Sequence, residues 1–145
     1  MALLVFYVTV GFGQSKTEKN TQYYAIKRAK EDSTFLALKA VAQKSMAKFI
    51  DSLQKNGVNI QDYRFSVKSD FADKNHHEHL WSQILAFENG YFVGIFIDAS
   101  VTLKNIKFGD SVRIKKEDIE DWEIENLKTQ THSGYFSENY PDNQK

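Results

Sequence analysis

Cysteine is absent from the 145 residues of this chain. Its absence excludes thiolate metal ligands, a cysteine nucleophile and a lipid-modified cysteine behind the N-terminus. The formal net charge is zero, so no overall field draws the protein towards nucleic acid or an anionic membrane. Phosphate-binding loops, dinucleotide fingerprints and nucleic-acid motifs are missing as well. We therefore expect no cofactor and no nucleic-acid partner.

Aromatic residues are plentiful, with eleven Phe, seven Tyr and two Trp. A disordered chain would lack them, and a chain of this length suffices for one domain with a single core. Basic residues outnumber acidic ones up to about residue 60, and the balance reverses after it. This asymmetry predicts a basic helix surface and acidic C-terminal strands. Docking of a basic partner on the acidic half is the functional alternative.

The N-terminus has the features of a secretion signal. Residues 1–10 are almost wholly apolar, and Gly11-Phe12-Gly13 places small residues at the −3 and −1 positions before Gln14. The stretch is too short for a membrane span of roughly 20 residues but suits a signal peptide. We predict a signal peptide over residues 1–13 and a mature protein in the periplasm or outside the cell, without a stable membrane anchor. A signal peptide normally begins with basic residues, but no Lys or Arg precedes Lys16. A wrongly assigned start site would explain their absence. The alternative to a signal peptide is that the apolar stretch forms a buried β-strand of the mature fold.

Helical periodicity follows a leader at residues 14–29 and continues to Lys55. Apolar residues recur every three or four positions, which predicts one amphipathic helix. The apolar stripe consists of Phe35, Leu38, Ala42, Met46, Phe49 and Leu53. Asp32 or Ser33 suits a helix cap, which would divide the segment into two helices. Asn56-Gly57 is expected to end the helical region.

The remainder of the chain has strand patterns. Apolar and polar residues alternate over residues 63–68, and the apolar runs 80–87 and 91–97 are joined through Asn89-Gly90, a strong hairpin signal. Two further strands are predicted downstream, a short one at residues 111–115 and another at residues 119–127.

Helix periodicity followed by consecutive strands predicts an α+β fold. In this fold an N-terminal amphipathic helix packs on a curled antiparallel sheet of four to five strands. We expect a single domain over residues 30–136 and a flexible tail over residues 137–145.

The Asn89-Gly90 turn also predicts which hairpin residues share a face. If these two residues form the turn, Leu85 lies opposite Gly94 and Trp81 lies opposite Asp98. One face would then carry a predicted binding surface, with a notch at Gly94 and with Trp122 closing over it. This surface comprises His79, Trp81, Gln83, Phe96, Asp98 and Trp122. The alternative is that the same face forms a second layer of the core.

Five short motifs occur in a fixed order along the chain. They are Glu78-His79-Leu80-Trp81, Gly90-Tyr91-Phe92-Val93-Gly94, Gly109-Asp110-Ser111-Val112, Ile119-Glu120-Asp121-Trp122 and Gly134-Tyr135. In this order the sequence resembles the domain-of-unknown-function family 2314, the YegJ-like proteins of bacteria, over roughly residues 30–136. The resemblance implies a small α+β domain without an established activity. Some members are similar in pattern to the immunity-type domains found beside bacterial toxins.

Two kinds of chemistry are conceivable around the first motif. Glu78, His79 and Asp121 would form an acid–base set, because histidine and carboxylate side chains are the usual groups for proton transfer. No nucleophile motif accompanies them. The alternative is a structural role, in which Glu78 and His79 connect the start of their strand to a neighbouring loop.

Metal binding is the second possibility. His77 and His79 point to the same side of an extended segment, and His132 or Asp98 would have to supply a third ligand. The helical H-E-x-x-H spacing of zinc enzymes is absent, so we expect no metal site.

The sequence therefore favours a non-catalytic binding or interaction module whose partner is a protein. The alternative is a small hydrolase-like or metal-assisted enzyme that uses Glu78, His79 and Asp121.

Overall fold

The computed structural model describes residues 33–138. The predicted signal peptide, the leader and residues 139–145 of the predicted tail lie outside the described residues. Two helices come first, α1 at Ser33–Lys44 and α2 at Met46–Asn56. Neither of these helices, the ones found between residues 33 and 138, is long and apolar enough to cross a membrane.

The predicted single helix is interrupted at Ser45. The Ser45 hydroxyl donates to the carbonyl of Val41 at 2.8 Å and to that of Ala42 at 3.2 Å. The carbonyl of Ala42 also accepts a hydrogen bond from the indole N–H of Trp122 at 3.1 Å. Side chains that compete for helix carbonyls bend or break a helix. The break therefore lies at Ser45. The described part of α1 begins at Ser33, and Asp32, the other residue expected as a cap, lies outside the described residues.

Within residues 33–138, six strands follow the helices. They are β1 at Tyr63–Ala72, β2 at His77–Glu88, β3 at Tyr91–Phe96, β4 at Ser111–Lys115, β5 at Ile119–Asn126 and β6 at Thr131–Gly134. All neighbouring strands pair antiparallel in the order β4-β3-β2-β1-β5-β6. The predicted α+β class is confirmed, but four to five strands was too few. The missed strand, β6, has no alternating apolar pattern and forms by pairing with β5.

The sheet is strongly curved, because the chain passes from β4 to β5 through only three residues, Lys116–Asp118. These two strands are four positions apart in the sheet. A flat sheet would separate them by about 19 Å, whereas the four residue steps between them span at most about 14 Å. The ring of Phe49 on α2 accordingly lies 5.6 Å from Phe92 of β3 and 5.5 Å from Trp122 of β5. The sheet thus curls around α2 without closing.

The core lies between the helices and the concave face of the sheet. The apolar stripe of the two helices supplies Ala42, Met46, Phe49 and Leu53, all at most 4% exposed. The sheet contributes side chains of five strands, among them Val67 of β1 and Ile114 of β4. The opposite face of the sheet is called the outer face below. It is defined by Ser66, Lys68 and Asp70 of β1 with their partners Gln83, Trp81 and His79 of β2.

The hairpin register is confirmed only near its turn. Asn89 and Gly90 have the expected positive φ angles, 51° and 82°, and the first three strand pairs follow the prediction. Beyond them a β-bulge shifts the register by one residue, so that Gly94 lies opposite Ile84 and not opposite Leu85. A bulge inserts one unpaired residue and exchanges the two faces of the strand beyond it.

This bulge makes the predicted hairpin face wrong. Phe96 lies opposite Ser82 and is fully buried in the core, away from the face that carries Trp81. The expected notch at Gly94 is also wrong, because a Cβ placed on Gly94 would lie 1.9 Å from the carbonyl oxygen of Gln83. Gly94 permits close approach of two backbones and leaves no room for a ligand.

Candidate functional site

The structure divides the six residues of the predicted binding surface between two faces and a loop. His79, Trp81 and Gln83 lie together on the outer face. Phe96 and Trp122 lie in the core, at most 1% exposed. Asp98 belongs to the loop of residues 97–110 that joins β3 to β4.

Trp122 does not close over the outer face. Its ring packs 5.5 Å from Phe49 and 5.3 Å from Phe136, and its indole N–H donates to the carbonyl of Ala42. A buried indole needs such a hydrogen-bond partner. Trp122 therefore joins β5 to both helices.

Tyr135 takes the position that the sequence assigned to Trp122. Its ring lies edge-on to Trp81, with 5.5 Å between the ring centroids and an angle of 89° between the planes. Tyr135 has a φ of 59° and its N–H donates to the carbonyl of Trp122 at 2.8 Å. This backbone geometry directs the tyrosine onto the outer face, where two aromatic rings now stand together.

Asp98 contacts Trp81 through the backbone. One carboxylate oxygen, Oδ2, accepts a hydrogen bond from the N–H of Trp81 at 3.1 Å. The N–H of Ile97 in turn donates to the carbonyl of Trp81 at 3.2 Å. The loop of residues 97–110 is thereby held beside the outer-face aromatics.

Glu78 is the main anchor of this loop. Its carboxylate accepts hydrogen bonds from the hydroxyls of Ser100 and Thr102, at 2.5 and 3.0 Å. The backbone N–H groups of Val101 and Thr102 donate to it as well, both within 3.2 Å. Partial burial on its own raises the pKa of Glu78, but these hydrogen bonds to the charged form outweigh burial and lower it. Glu78 is thus an ionised structural carboxylate.

Replacing Glu78 by glutamine is expected to lower the free energy of unfolding at pH 7 by about 1.5–3 kcal/mol, because hydrogen bonds to a charged acceptor are lost. Because the pKa of Glu78 is lower in the folded state, its ionised carboxylate stabilises the fold at pH values above the unfolded-state pKa of 4.5. This contribution disappears as the pH falls through the folded-state pKa. Urea titrations at pH 7 and pH 3 should show a large difference between wild type and variant at pH 7 that shrinks at pH 3. An equal difference at both values would contradict this role.

Asp121 is the second structural carboxylate, and it holds the segment after β6. One oxygen accepts from the N–H groups of Trp122 and Phe136, at 2.8 and 3.1 Å. The other accepts from the N–H and the hydroxyl of Ser137, at 2.8 and 2.5 Å. Ser137, where the flexible tail was expected to begin, is therefore hydrogen-bonded to β5.

His79 contacts a carboxylate that sequence reasoning missed. Its Nδ1 lies 2.5 Å from Glu120 Oε2, and both side chains are largely buried. Glu120 faces His79 because a β-bulge in the β1–β5 pairing leaves it without a strand partner. The ring of Phe35 on α1 lies 5.7 Å from the His79 ring and helps to cover the pair.

Asp70 completes a cluster with the two histidines of β2. It lies directly opposite His79 in the β1–β2 ladder, and its Oδ1 is 3.2 Å from His77 Nδ1. One potential ligand atom from each of Asp70, His77 and His79 lies within 4.8 Å of the other two. The structure thus brings both metal candidates together with a carboxylate that the sequence did not suggest.

The third ligands that the sequence suggested lie elsewhere. His132 lies on β6, and its Nδ1 is 2.9 Å from Oε1 of Glu123 on β5. Asp98 accepts a hydrogen bond from the N–H of Trp81. Asp70 was missed because its position depends on the β1–β2 register across a loop, which no turn motif announces.

The three candidate catalytic residues are bonded to different parts of the chain. Glu78 binds the β3–β4 loop, Asp121 binds the segment after β6, and His79 contacts Glu120. The two carboxylates accept backbone N–H groups, which is the pattern of structural caps.

Comparison with known proteins identifies the family. The profile of the family described as "Uncharacterized protein conserved in bacteria (DUF2314)" matches residues 32–139. The chain belongs to this family. It is also similar to "Uncharacterized protein YegJ" of Escherichia coli (strain K12), with 33% identity over 122 residues, which cover 84% of this chain and 73% of the relative. No solved structure matches it significantly.

The motifs that carry the resemblance to the DUF2314 family have structural roles in this fold. Gly134 has a φ of 92°, and a Cβ on it would lie 2.2 Å from the Trp122 carbonyl oxygen. Asp121 and Trp122 hold the C-terminal segment and α1, while Glu78 holds the β3–β4 loop. These motif residues therefore help to hold the fold together.

Proposed function

We propose that this DUF2314 domain is an exported, non-catalytic binding module whose partner is a protein. The observation that carries the proposal is the use of the candidate catalytic carboxylates. Glu78 and Asp121 each accept several hydrogen bonds from loop backbone and hydroxyl groups. A general acid or base must instead reach a substrate proton. Because both carboxylates already bind loop backbone, their role supports a non-catalytic domain and argues against the hydrolase-like alternative.

The binding surface that we propose is centred on Trp81 and Tyr135. Their edge-on rings stand on the outer face, beside the loop of residues 97–110 that Glu78 and Asp98 hold in place. Loops of this length are often binding elements. The same loop exposes Val101 at 87%. Aromatic side chains next to exposed apolar ones are typical of protein-interaction surfaces.

A protein partner fits this surface better than a small ligand. The expected notch at Gly94 is filled by backbone, and the outer face combines the charged side chains of Lys68 and Asp70 with the ring of Trp81. The resemblance to immunity-type domains agrees with a protein partner. His79, Gln83 and Asp98 border the aromatic pair and would provide polar contacts.

Export is the second part of the proposal, and it rests on the apolar residues 1–10 and the small residues before Gln14. We propose that the mature chain begins near Gln14 and acts in the periplasm or outside the cell. The binding experiment below therefore starts from protein purified from the native host, whose N-terminus is sequenced. A cytoplasmic chain that retains Met1 would refute export.

The binding surface is tested by comparing variants of the full mature chain. Trp81→Ala is expected to weaken binding of the native partner by roughly 2 kcal/mol or more, about 30-fold in Kd, as for other buried aromatic anchors. Gln83→Ala and Asp98→Ala remove little packing and should also weaken binding. The partner is first captured from periplasmic extract, then titrated by calorimetry.

The matched control is Leu127→Ala, because Leu127 is a 41% exposed apolar side chain after β5, outside the proposed surface. It should bind the partner as wild type does. Equal binding by wild type and by Trp81→Ala, Gln83→Ala and Asp98→Ala, each with an unchanged unfolding curve, would remove the outer face and its neighbouring loop as the binding surface.

A further inference from the structure

We propose that Asp70, His77 and His79 bind one divalent transition-metal ion of the zinc type, with Glu120 positioning His79. The inference goes beyond the proposed partner binding and does not depend on it, although His79 borders both regions. Asp70 and His79 are directly paired across β1 and β2, and His77 follows on the same face. Cross-strand neighbours of this kind have side chains close enough to share a ligand.

The spacing of the donor atoms suits a single ion. One ligand atom from each residue lies within 4.8 Å of the other two. Nitrogen and oxygen ligands bound to zinc at about 2.0–2.2 Å lie about 3–4 Å from one another. Small side-chain rotations would therefore bring all three donors onto one ion, without moving the strands.

A buried, unsatisfied oxygen points independently to a cation. Asp70 is only 4% exposed, and its Oδ2 has no hydrogen-bond partner among the residues that the structure describes. Its other oxygen, Oδ1, lies 3.2 Å from His77 Nδ1. A buried carboxylate without full compensation is costly, and a coordinated cation is one of the groups that offset this cost. The unsatisfied oxygen belongs to the residue whose ligand atoms lie beside both histidines.

Glu120 supplies the support that metal-binding histidines usually have. It lies 2.5 Å from Nδ1 of His79. A carboxylate on Nδ1 fixes the ring and its tautomer, so that Nε2 coordinates the metal. Glu120 is thus a positioning residue in this site, and the β-bulge places its side chain against His79.

The donor set selects the class of metal. Two imidazoles and one carboxylate suit zinc and its first-row neighbours, and no thiolate is available for soft ions because the chain has no cysteine. Three protein ligands leave a fourth position for water or for a group from a partner.

The test titrates Zn²⁺ into the full mature chain, purified without a histidine tag and treated with chelator, by calorimetry at pH 7.5. Co²⁺ is added in parallel, because its absorption spectrum reports nitrogen and oxygen coordination. We expect one Zn²⁺ per chain and a rise in melting temperature with Zn²⁺. His77→Ala and Asp70→Asn should each weaken Zn²⁺ binding at least 10-fold.

Two further variants separate coordination from folding and from adventitious binding. Asp70→Asn removes a buried charge that is only partly compensated, so the metal-free variant should melt at or above the wild-type temperature while losing the Zn²⁺-induced rise. Glu120→Gln should weaken Zn²⁺ about 10-fold or more and retain the Co²⁺ spectrum. His132→Ala, which changes an exposed histidine on β6, should bind Zn²⁺ as wild type does. Zn²⁺ binding that survives Asp70→Asn and His77→Ala, or no binding below millimolar concentration, would overturn the proposal.

Discussion

Replacing Trp122 by alanine is expected to lower the free energy of unfolding by about 3–5 kcal/mol. The side chain is 1% exposed and packs between Phe49 and Phe136. Its removal leaves a cavity at the junction of sheet and helices, and it also deprives the carbonyl of Ala42 of an indole donor. Urea denaturation followed by circular dichroism measures the loss, and partner binding per folded molecule should stay unchanged.

Trp122→Phe keeps most of the packing and loses the donor, so it should cost less than the alanine variant. It also provides a folded protein if the alanine variant is too unstable to purify, since small domains have only about 5–15 kcal/mol of stability in total. Trp81→Ala is the matched tryptophan control on the outer face and should cost clearly less. If Trp81→Ala were the more destabilising of the two, the assignment of core and surface tryptophan would be reversed.

Replacing Gly94 by alanine should destabilise the fold by about 3 kcal/mol or more, which is at the upper end for overpacking. A Cβ at this position would lie 1.9 Å from the carbonyl oxygen of Gln83 and 3.0 Å from the Cα of Ile84. Both are backbone atoms of the neighbouring strand, so relief requires the ladder itself to move. The measurement is the urea midpoint of the full chain.

Gly109→Ala is the control, because Gly109 has a φ of 83° but nothing within 4 Å of its Cβ position. The Gly109→Ala variant should lose only the free energy needed to hold alanine in the left-handed backbone conformation, about 1–2 kcal/mol. Equal costs at the two glycines would mean that the hairpin bulge does not form as described, and that Gly94 has open space around it.

Local patterns predicted the elements of the fold well. The apolar stripe from Ala42 to Leu53 is buried as its helical period indicated, and the Asn89-Gly90 turn has the expected left-handed backbone. These features depend on neighbours a few residues apart. The break at Ser45 was missed because the carbonyl of Ala42, which accepts from the Ser45 hydroxyl, also accepts from the indole of Trp122, 80 residues after Ala42.

The candidate site was predicted in part only. His79, Trp81 and Gln83 share a face, as alternation along one strand requires. Phe96 was misplaced because one bulged residue in β2 exchanges the faces on either side of it. Tyr135, Asp70 and Glu120 were not identified as site residues, since their positions depend on strands and loops that meet only in the folded chain.

The sequence by itself determined the α+β class, the helical core stripe, the hairpin turn and the family, because periodicity, turn chemistry and motif order are local properties of the chain. Only the tertiary structure decided which tryptophan is core, which carboxylates act as caps and which residues gather around His79. Those outcomes depend on strand order, on two β-bulges and on the curvature of the sheet. All three arise from contacts between distant segments, and no window of neighbouring residues contains them.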